Sequence, residues 1–101
     1  MTPRRRLLAR RHSEGFDFEV GGLRYHCTFL KFADGSVGEL FLTNAKSGSM
    51  SDANACDAAV TCSIAPQYGV PIEVIRKALM RDARGNARTP LGAALDLIAE
   101  Q

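Results

Sequence analysis

The stretch Asp34-Gly35-Ser36-Val37-Gly38-Glu39-Leu40-Phe41-Leu42 decides how this chain is read. Ala33-Asp34-Gly35 is a turn signal, with Gly35 supplying the positive φ such a turn wants. Val37 to Thr43 then reads as a strand that exposes Glu39 and carries Leu40, Phe41 and Leu42 in succession, a run that points to burial on both faces or a central place in the sheet. Upstream, Phe16, Phe18 and Val20 alternate with Asp17 and Glu19, and Gly21-Gly22 marks a two-residue hairpin turn. The next strand runs from Leu23 to about Phe32, with Leu23, Tyr25, Cys27 and Phe29 on one side and Arg24, His26 and Thr28 on the other. Its phase shifts at Leu30, which predicts a bulge. The first half is a three-stranded antiparallel meander.

Downstream of that stretch the period changes. Ser49, Ser51 and Asp52 are N-cap residues for a helix on which Ala53, Cys56, Ala59, Val60, Ser63 and Ile64 form an apolar stripe, with Asp57 on or beside it. Pro66 kinks or ends that helix, and Gly69 and Pro71 punctuate the passage to the next. Ile72, Ile75, Ala78 and Leu79 define a second amphipathic helix to about Arg81, whose last turn carries Arg76, Lys77 and Arg81 where cations complement the helix dipole. Residues 81–88 read as a polar loop. Thr89-Pro90 starts a short third helix with Leu91, Ala94, Leu95 and Ile98 inward. Strands first and helices second predict an α+β fold: a three-stranded antiparallel β-meander followed by two to three α-helices packed on one sheet face.

Composition bounds the function. A chain of 101 residues is one small domain, with no Trp and no apolar run near the ~20 residues of a membrane span. The leucine pair in Met1–Arg11 is too short for a signal-peptide apolar region, so the simplest reading is a cytoplasmic protein without membrane association. Five of the 13 basic residues (Arg4, Arg5, Arg6, Arg10, Arg11) crowd the first eleven positions. The rest is left with 8 basic against 11 acidic residues. Residues 1–14 are therefore read as a basic flexible arm on a domain spanning 15–101. The arm is either a solvated tail or a set of sequence-independent phosphate contacts to nucleic acid.

Three cysteines, Cys27, Cys56 and Cys62, form no Cys-x-x-Cys pair, and Cys56 and Cys62 point about 120° apart on a helix. They read as buried thiols in a reducing compartment. His12 lies in the arm, and His26 lies on the polar side of a strand, within reach of Asp17 or Glu19 as a surface pair. No spacing matches a metal-ligand pattern, so neither a catalytic set nor a metal site is expected, and the chain is expected to have no enzymatic activity alone. The loop with binding potential is Asn44-Ala45-Lys46-Ser47-Gly48-Ser49. Lys46, Ser47, Gly48 and Ser49 offer an ammonium, hydroxyls and backbone amides ahead of a helix N-terminus, which can hold an anion such as a nucleotide phosphate. The same residues also read as an ordinary strand-to-helix connection, and the spacing is not that of a Walker loop.

In order and spacing, several of these phrases resemble the TSCPD domain, the C-terminal accessory region of cobalamin-dependent (class II) ribonucleotide reductases. They are Phe32-Ala33-Asp34-Gly35 through Leu42, then Ala45-Lys46-Ser47-Gly48-Ser49, then Ser63 through Pro71, and a closing Pro90-Leu91 helix. The resemblance covers roughly residues 15–98 and implies a free-standing accessory domain. It implies a ribonucleotide reductase catalytic chain as partner, with adenosylcobalamin held only by that partner and no cofactor here. The catalytic barrel and the terminal Cys-pair tail of such enzymes have no counterpart in this sequence, and Pro66 stands where the family pattern has an apolar residue. A small dimeric interaction module, with the arm on nucleic acid, is the alternative. A homodimer is compatible with both.

Overall fold

The computed structural model describes residues 13–101. Strands β1 (Ser13–Val20), β2 (Leu23–Lys31) and β3 (Val37–Asn44) form one antiparallel sheet in the order β1-β2-β3. Helices α1 (Met50–Gln67), α2 (Ile72–Ala78) and α3 (Pro90–Ala99) follow. This is the expected α+β meander with its helices on one sheet face. α1 packs along β3 and α3 against β1. Gly21-Gly22 joins β1 to β2, Gly35 takes φ +90° in the second turn, and the ladder between β2 and β3 slips at Leu30/Lys31, where the sequence phase shifts.

The core is the inward row of the sheet (Phe18, Tyr25, Cys27, Phe29, Leu40, Leu42) closed by Ala55, Ala59 and Cys62 of α1 and by Leu91, Ala94, Leu95 and Ile98 of α3. Small residues on α1 let its axis come close to β3, so the helix seats on Leu40 and Leu42 without large side chains of its own.

Four expectations need correction. β3 is an edge strand with one covered face, and Phe41 stays 45% exposed on the open side. Leu23, at the start of β2 beside the hairpin turn, lies beyond the cover of the helices and is exposed. The buried side of α1 is Ala55, Ala59, Cys62, Ser63, Pro66 and Gln67, so Val60 (54% exposed) and Ile64 (51%) face outward, and Ala53 and Asp57 are exposed too. The stripe runs this way round because the sheet edge demands hydrogen-bonding and small side chains, which a hydropathy pattern does not register. Finally, α2 stops at Ala78, not near Arg81. Leu79 turns extended, and Met80 to Arg88 fold into a compact hairpin-like loop through Asp82 N–H to Asn86 O (2.9 Å) and Arg88 N–H to Met80 O (3.2 Å). Ala78 is exposed as a result.

Other readings hold. Ser49 caps α1 and Thr89 caps α3, each hydroxyl accepting a backbone N–H (Asp52, 3.1 Å; Gly92, 3.1 Å). α1 ends one residue after Pro66, with the Tyr68 and Val70 amides returning to the Ala65 carbonyl.

Candidate functional site

The loop between β3 and α1 carries Lys46, Ser47, Gly48 and Ser49. Consecutive in sequence, they are held as one turn. The Lys46 N–H donates to Asn44 Oδ1 (2.7 Å), and the Ser49 hydroxyl donates to the Lys46 carbonyl (2.8 Å). Gly48 sits at φ +79°, a conformation that a side chain strains. Lys46, Ser47 and Gly48 are exposed, and Ser49 is half-buried.

The anion already present is internal. The Asp52 carboxylate, in the first turn of α1, accepts the Asn44 N–H (2.8 Å) through Oδ1 and the Gly48 N–H (3.3 Å) through Oδ2. These amide bonds, the Asn44 bond first, pull its pKa below the ordinary carboxylate value against an opposing desolvation, with a further contribution from the Cys56 thiol. An incoming phosphate at Ser47-Gly48 would compete with a like charge for the same donors. Asn44 is buried, and its Nδ2 has no hydrogen-bond partner among the described residues, while its Oδ1 shapes the turn.

Asp52 belongs to a larger device that sequence reasoning missed. Along one line of α1, Asp52 takes the Asn44 N–H, Cys56 Sγ lies 3.1 Å from the Leu42 carbonyl, and Ser63 Oγ accepts the Leu40 N–H at 3.0 Å. The Ser63 hydroxyl lies 3.0 Å from the Leu40 carbonyl and 2.8 Å from the Ala59 carbonyl, to either of which it donates. The Leu40 N–H and carbonyl, the Leu42 carbonyl and the Asn44 N–H, on the outer side of β3, are thus engaged by side chains of α1, which hinders strand-to-strand pairing along this part of the edge. A polar residue every one to two turns on the sheet side of a helix was the available signal, and hydropathy periodicity hid it.

A second missed cluster joins α2, the following loop and α3. Asp96 receives Arg76 Nε (2.8 Å) and both terminal nitrogens of Arg81 (2.8 and 2.7 Å), and Arg76 also meets Glu73 (2.8 Å). The two guanidiniums, Arg81 first, hold the Asp96 carboxyl down at about 2. Arg76 and Lys77 lie in the last turn of α2, where the sequence placed them, but Arg81 falls beyond the helix end, and Arg76 and Arg81 meet on this pin.

Among the described residues, groups capable of acid, base or thiolate chemistry do not converge into a set of three or more. His26 Nδ1 meets Asp17 Oδ1 at 2.6 Å on the open sheet face, the expected surface pair, with both side chains at least half exposed. Burial pushes the Cys27 thiol up to about 12 and the Cys62 thiol up to about 11, and Cys56 is raised as well. All three cysteines are free thiols. Among the described residues no group of three His, Cys, Asp or Glu side chains could hold a metal ion, and no helix is long and apolar enough to cross a membrane. Arg4, Arg5, Arg6, Arg10, Arg11 and His12 lie outside the described residues.

The Asp52 bonds have a measurable consequence. A carboxylate whose folded pKa is depressed contributes stability that is present above its unfolded pKa and is lost as pH falls through the folded value. Asp52→Asn is therefore expected to lower the melting temperature at pH 7 and to flatten the acid limb of the stability curve below about pH 4. Thermal unfolding of both proteins between pH 2.5 and 7 checks this, and parallel curves would show that the carboxylate is not doing the holding.

Fold and site together define a small α+β module with a partly engaged sheet edge and a self-contained helix-capping loop. Over an alignment of 75 positions that covers 72% of this chain, the sequence is 44% identical to the vitamin B12-dependent ribonucleotide reductase of Rhodopirellula baltica. The aligned stretch spans 7% of that enzyme's length, so the chain is related to one region of such a reductase. No protein-family model matches the chain, and no solved structure matches it.

Proposed function

We propose that this chain is a TSCPD-type, non-catalytic accessory domain of cobalamin-dependent ribonucleotide reduction, acting in deoxyribonucleotide synthesis by docking on a reductase catalytic chain. The observation that carries this reading is the 44% identity over 75 residues to one small region of a vitamin B12-dependent reductase. A module of that size supports a reductase without holding its chemistry, and adenosylcobalamin belongs in this reading to the partner. A cytoplasmic setting follows from the role.

Docking is favoured over nucleotide capture because Asp52 already occupies the Asn44 and Gly48 amides of the Lys46–Ser49 loop. The face that suits a protein partner is the exposed apolar group Phe41, Val60, Ile64 and Tyr68, which spans β3 and α1. The alternative, a small dimeric module contacting nucleic acid, rests on Arg4, Arg5, Arg6, Arg10 and Arg11.

Titration calorimetry of the chain against a purified cobalamin-dependent reductase tests the proposal. Saturable binding is expected, weakened at least tenfold by Val60→Glu with Ile64→Glu. No binding by the unaltered chain would remove the docking role. A parallel thermal-shift screen against nucleoside di- and triphosphates tests the loop, since a ligand at 100 times its Kd stabilises by about 2.7 kcal/mol. Lys46→Ala is expected to leave the melting temperature of the ligand-free protein unchanged, and a nucleotide-induced shift that this substitution abolishes would restore the loop as a binding site.

A further inference from the structure

A cavity of ≈ 470 Å³ lies between the first half of α1, the segment that leads into α3 and the start of β2. Ala55 and Ala58 form the α1 wall, where bare methyl groups leave the helix surface nearly flat, and Leu79 and Leu91 form another. Tyr25 reaches the cavity from the sheet, and Ser51 and Asn54 stand on the α1 side. Among the described residues, no Asp, Glu, Lys, Arg or His lines it. Neither Val60 nor Ile64 does, so the cavity is separate from the exposed apolar docking face.

Tyr25 is the residue that calls for a ligand. It alternates with the exposed Arg24 and His26 along β2, so its ring leaves the sheet on the helix side. There it is 4% exposed and stacks on Phe18, with centroids 5.7 Å apart and 24° between the planes. Phenylalanine would serve that packing as well. The tyrosine hydroxyl has no hydrogen-bond partner among the described residues, although it belongs to a side chain more than nine-tenths buried. Buried hydroxyls are normally met by protein or by an ordered molecule. Asn44, which pairs with Tyr25 across the ladder, keeps an unmet Nδ2 as well. Two polar side chains without an internal partner thus stand side by side at this end of the sheet.

We propose that this cavity binds a compact, uncharged heteroaromatic molecule, with its ring against the Ala55/Ala58 wall and its polar edge on the Tyr25 hydroxyl and the Asn54 amide. The volume falls within the roughly 300–1,000 Å³ of small-molecule sites, which share an apolar lining with a few convergent polar groups. A flat ring suits a wall of methyl groups, which offers area without relief. An ionised ligand is disfavoured, because its charge would leave water for a lining that holds no opposite charge. A phenol and a carboxamide each donate and accept, so they match an edge that carries a ring nitrogen beside an N–H. The site does not depend on docking to a reductase.

The experiment records amide 1H–15N spectra of the full chain titrated at neutral pH with adenine, benzimidazole and, as the ionised control, benzoate. Saturable shift changes centred on Asn54, Ala55, Ala58 and Leu91 are expected with both neutral probes and not with benzoate. Tyr25→Phe should weaken adenine binding by roughly three- to tenfold, the contribution of one hydrogen bond. It should not lower the melting temperature, because the hydroxyl holds nothing within the fold. Ala58→Leu, which fills the cavity, should abolish binding. The inference is overturned by the absence of saturable shifts with both neutral probes, by shifts centred on another face, or by benzoate binding as tightly as adenine. Unchanged adenine affinity in Tyr25→Phe, or a lower melting temperature that assigns the hydroxyl to the fold, would overturn it too.

Discussion

Ser63→Ala is expected to destabilise the protein by about 1–3 kcal/mol, the cost of leaving a buried polar group without its partner. Ser63 is 5% exposed, and its hydroxyl accepts the Leu40 N–H while lying 3.0 Å from the Leu40 carbonyl. Alanine is nearly isosteric there and fits the helix well, so propensity works slightly in the variant's favour and the loss reports the sheet edge itself. Water cannot replace the hydroxyl, because α1 lies against β3 along this line and Leu40 is fully buried. Denaturant unfolding measures the effect. An unchanged m-value with a lower midpoint is expected, since the compactness of the ends of the transition is not altered. Ser63→Thr keeps the hydroxyl but adds a methyl group at a close helix–strand contact, and it should recover part of the loss. Stability within 0.5 kcal/mol of the original in Ser63→Ala would mean that the edge groups find other partners.

Asp96→Asn should cost on the order of 1–2 kcal/mol at neutral pH. The Asp96 side chain is 25% exposed and accepts bonds from Arg76 and Arg81 at 2.7–2.8 Å, so removing its charge leaves two half-covered guanidiniums facing each other. Solvent screening keeps the figure below that of a fully buried pair. The sign of the pH dependence is determined. The folded pKa, held at about 2, lies below the unfolded carboxylate value near 4, so the contribution is complete above about pH 4 and is lost as pH falls toward 2. Asp96→Asn should therefore remove most of its effect at pH 2 and show it in full at pH 7. Because the pin ties α3 to the residues that follow α2, hydrogen exchange should rise first in 79–88. Uniform acceleration across β1 to β3 instead would show that the pin supports the whole fold and not the loop alone.

These two clusters give the small helical layer its definition. α1 is fixed laterally by bonds to the edge of β3, and α2 with its loop is fixed to α3 by charge, since α2 has no fully buried residue of its own. The open apolar group at Phe41, Val60, Ile64 and Tyr68 remains on the outside of that construction, beside the engaged part of the edge. A partner there would meet side chains and not a strand edge.

The strands, both turns, the bulge at Leu30, the Ser49 and Thr89 caps and the inward face of α3 were legible from the sequence. Each depends on a short-range rule: side-chain alternation, glycine in a positive-φ turn, a hydroxyl at a helix start, an amphipathic period. The relation to a B12-dependent reductase was legible too, in the ordered phrases from Phe32 to Pro71. Only the tertiary structure decided which side of α1 is buried, that β3 is an edge strand, and that Asp52, Cys56 and Ser63 engage that edge. The same holds for the joining of Arg76 and Arg81 at Asp96, and for the filling of the loop's amides by Asp52. The physical reason is common to all of these. A polar side chain has no fixed preference for inside or outside until its partner is placed, and these partners lie 4 to 23 residues away in sequence.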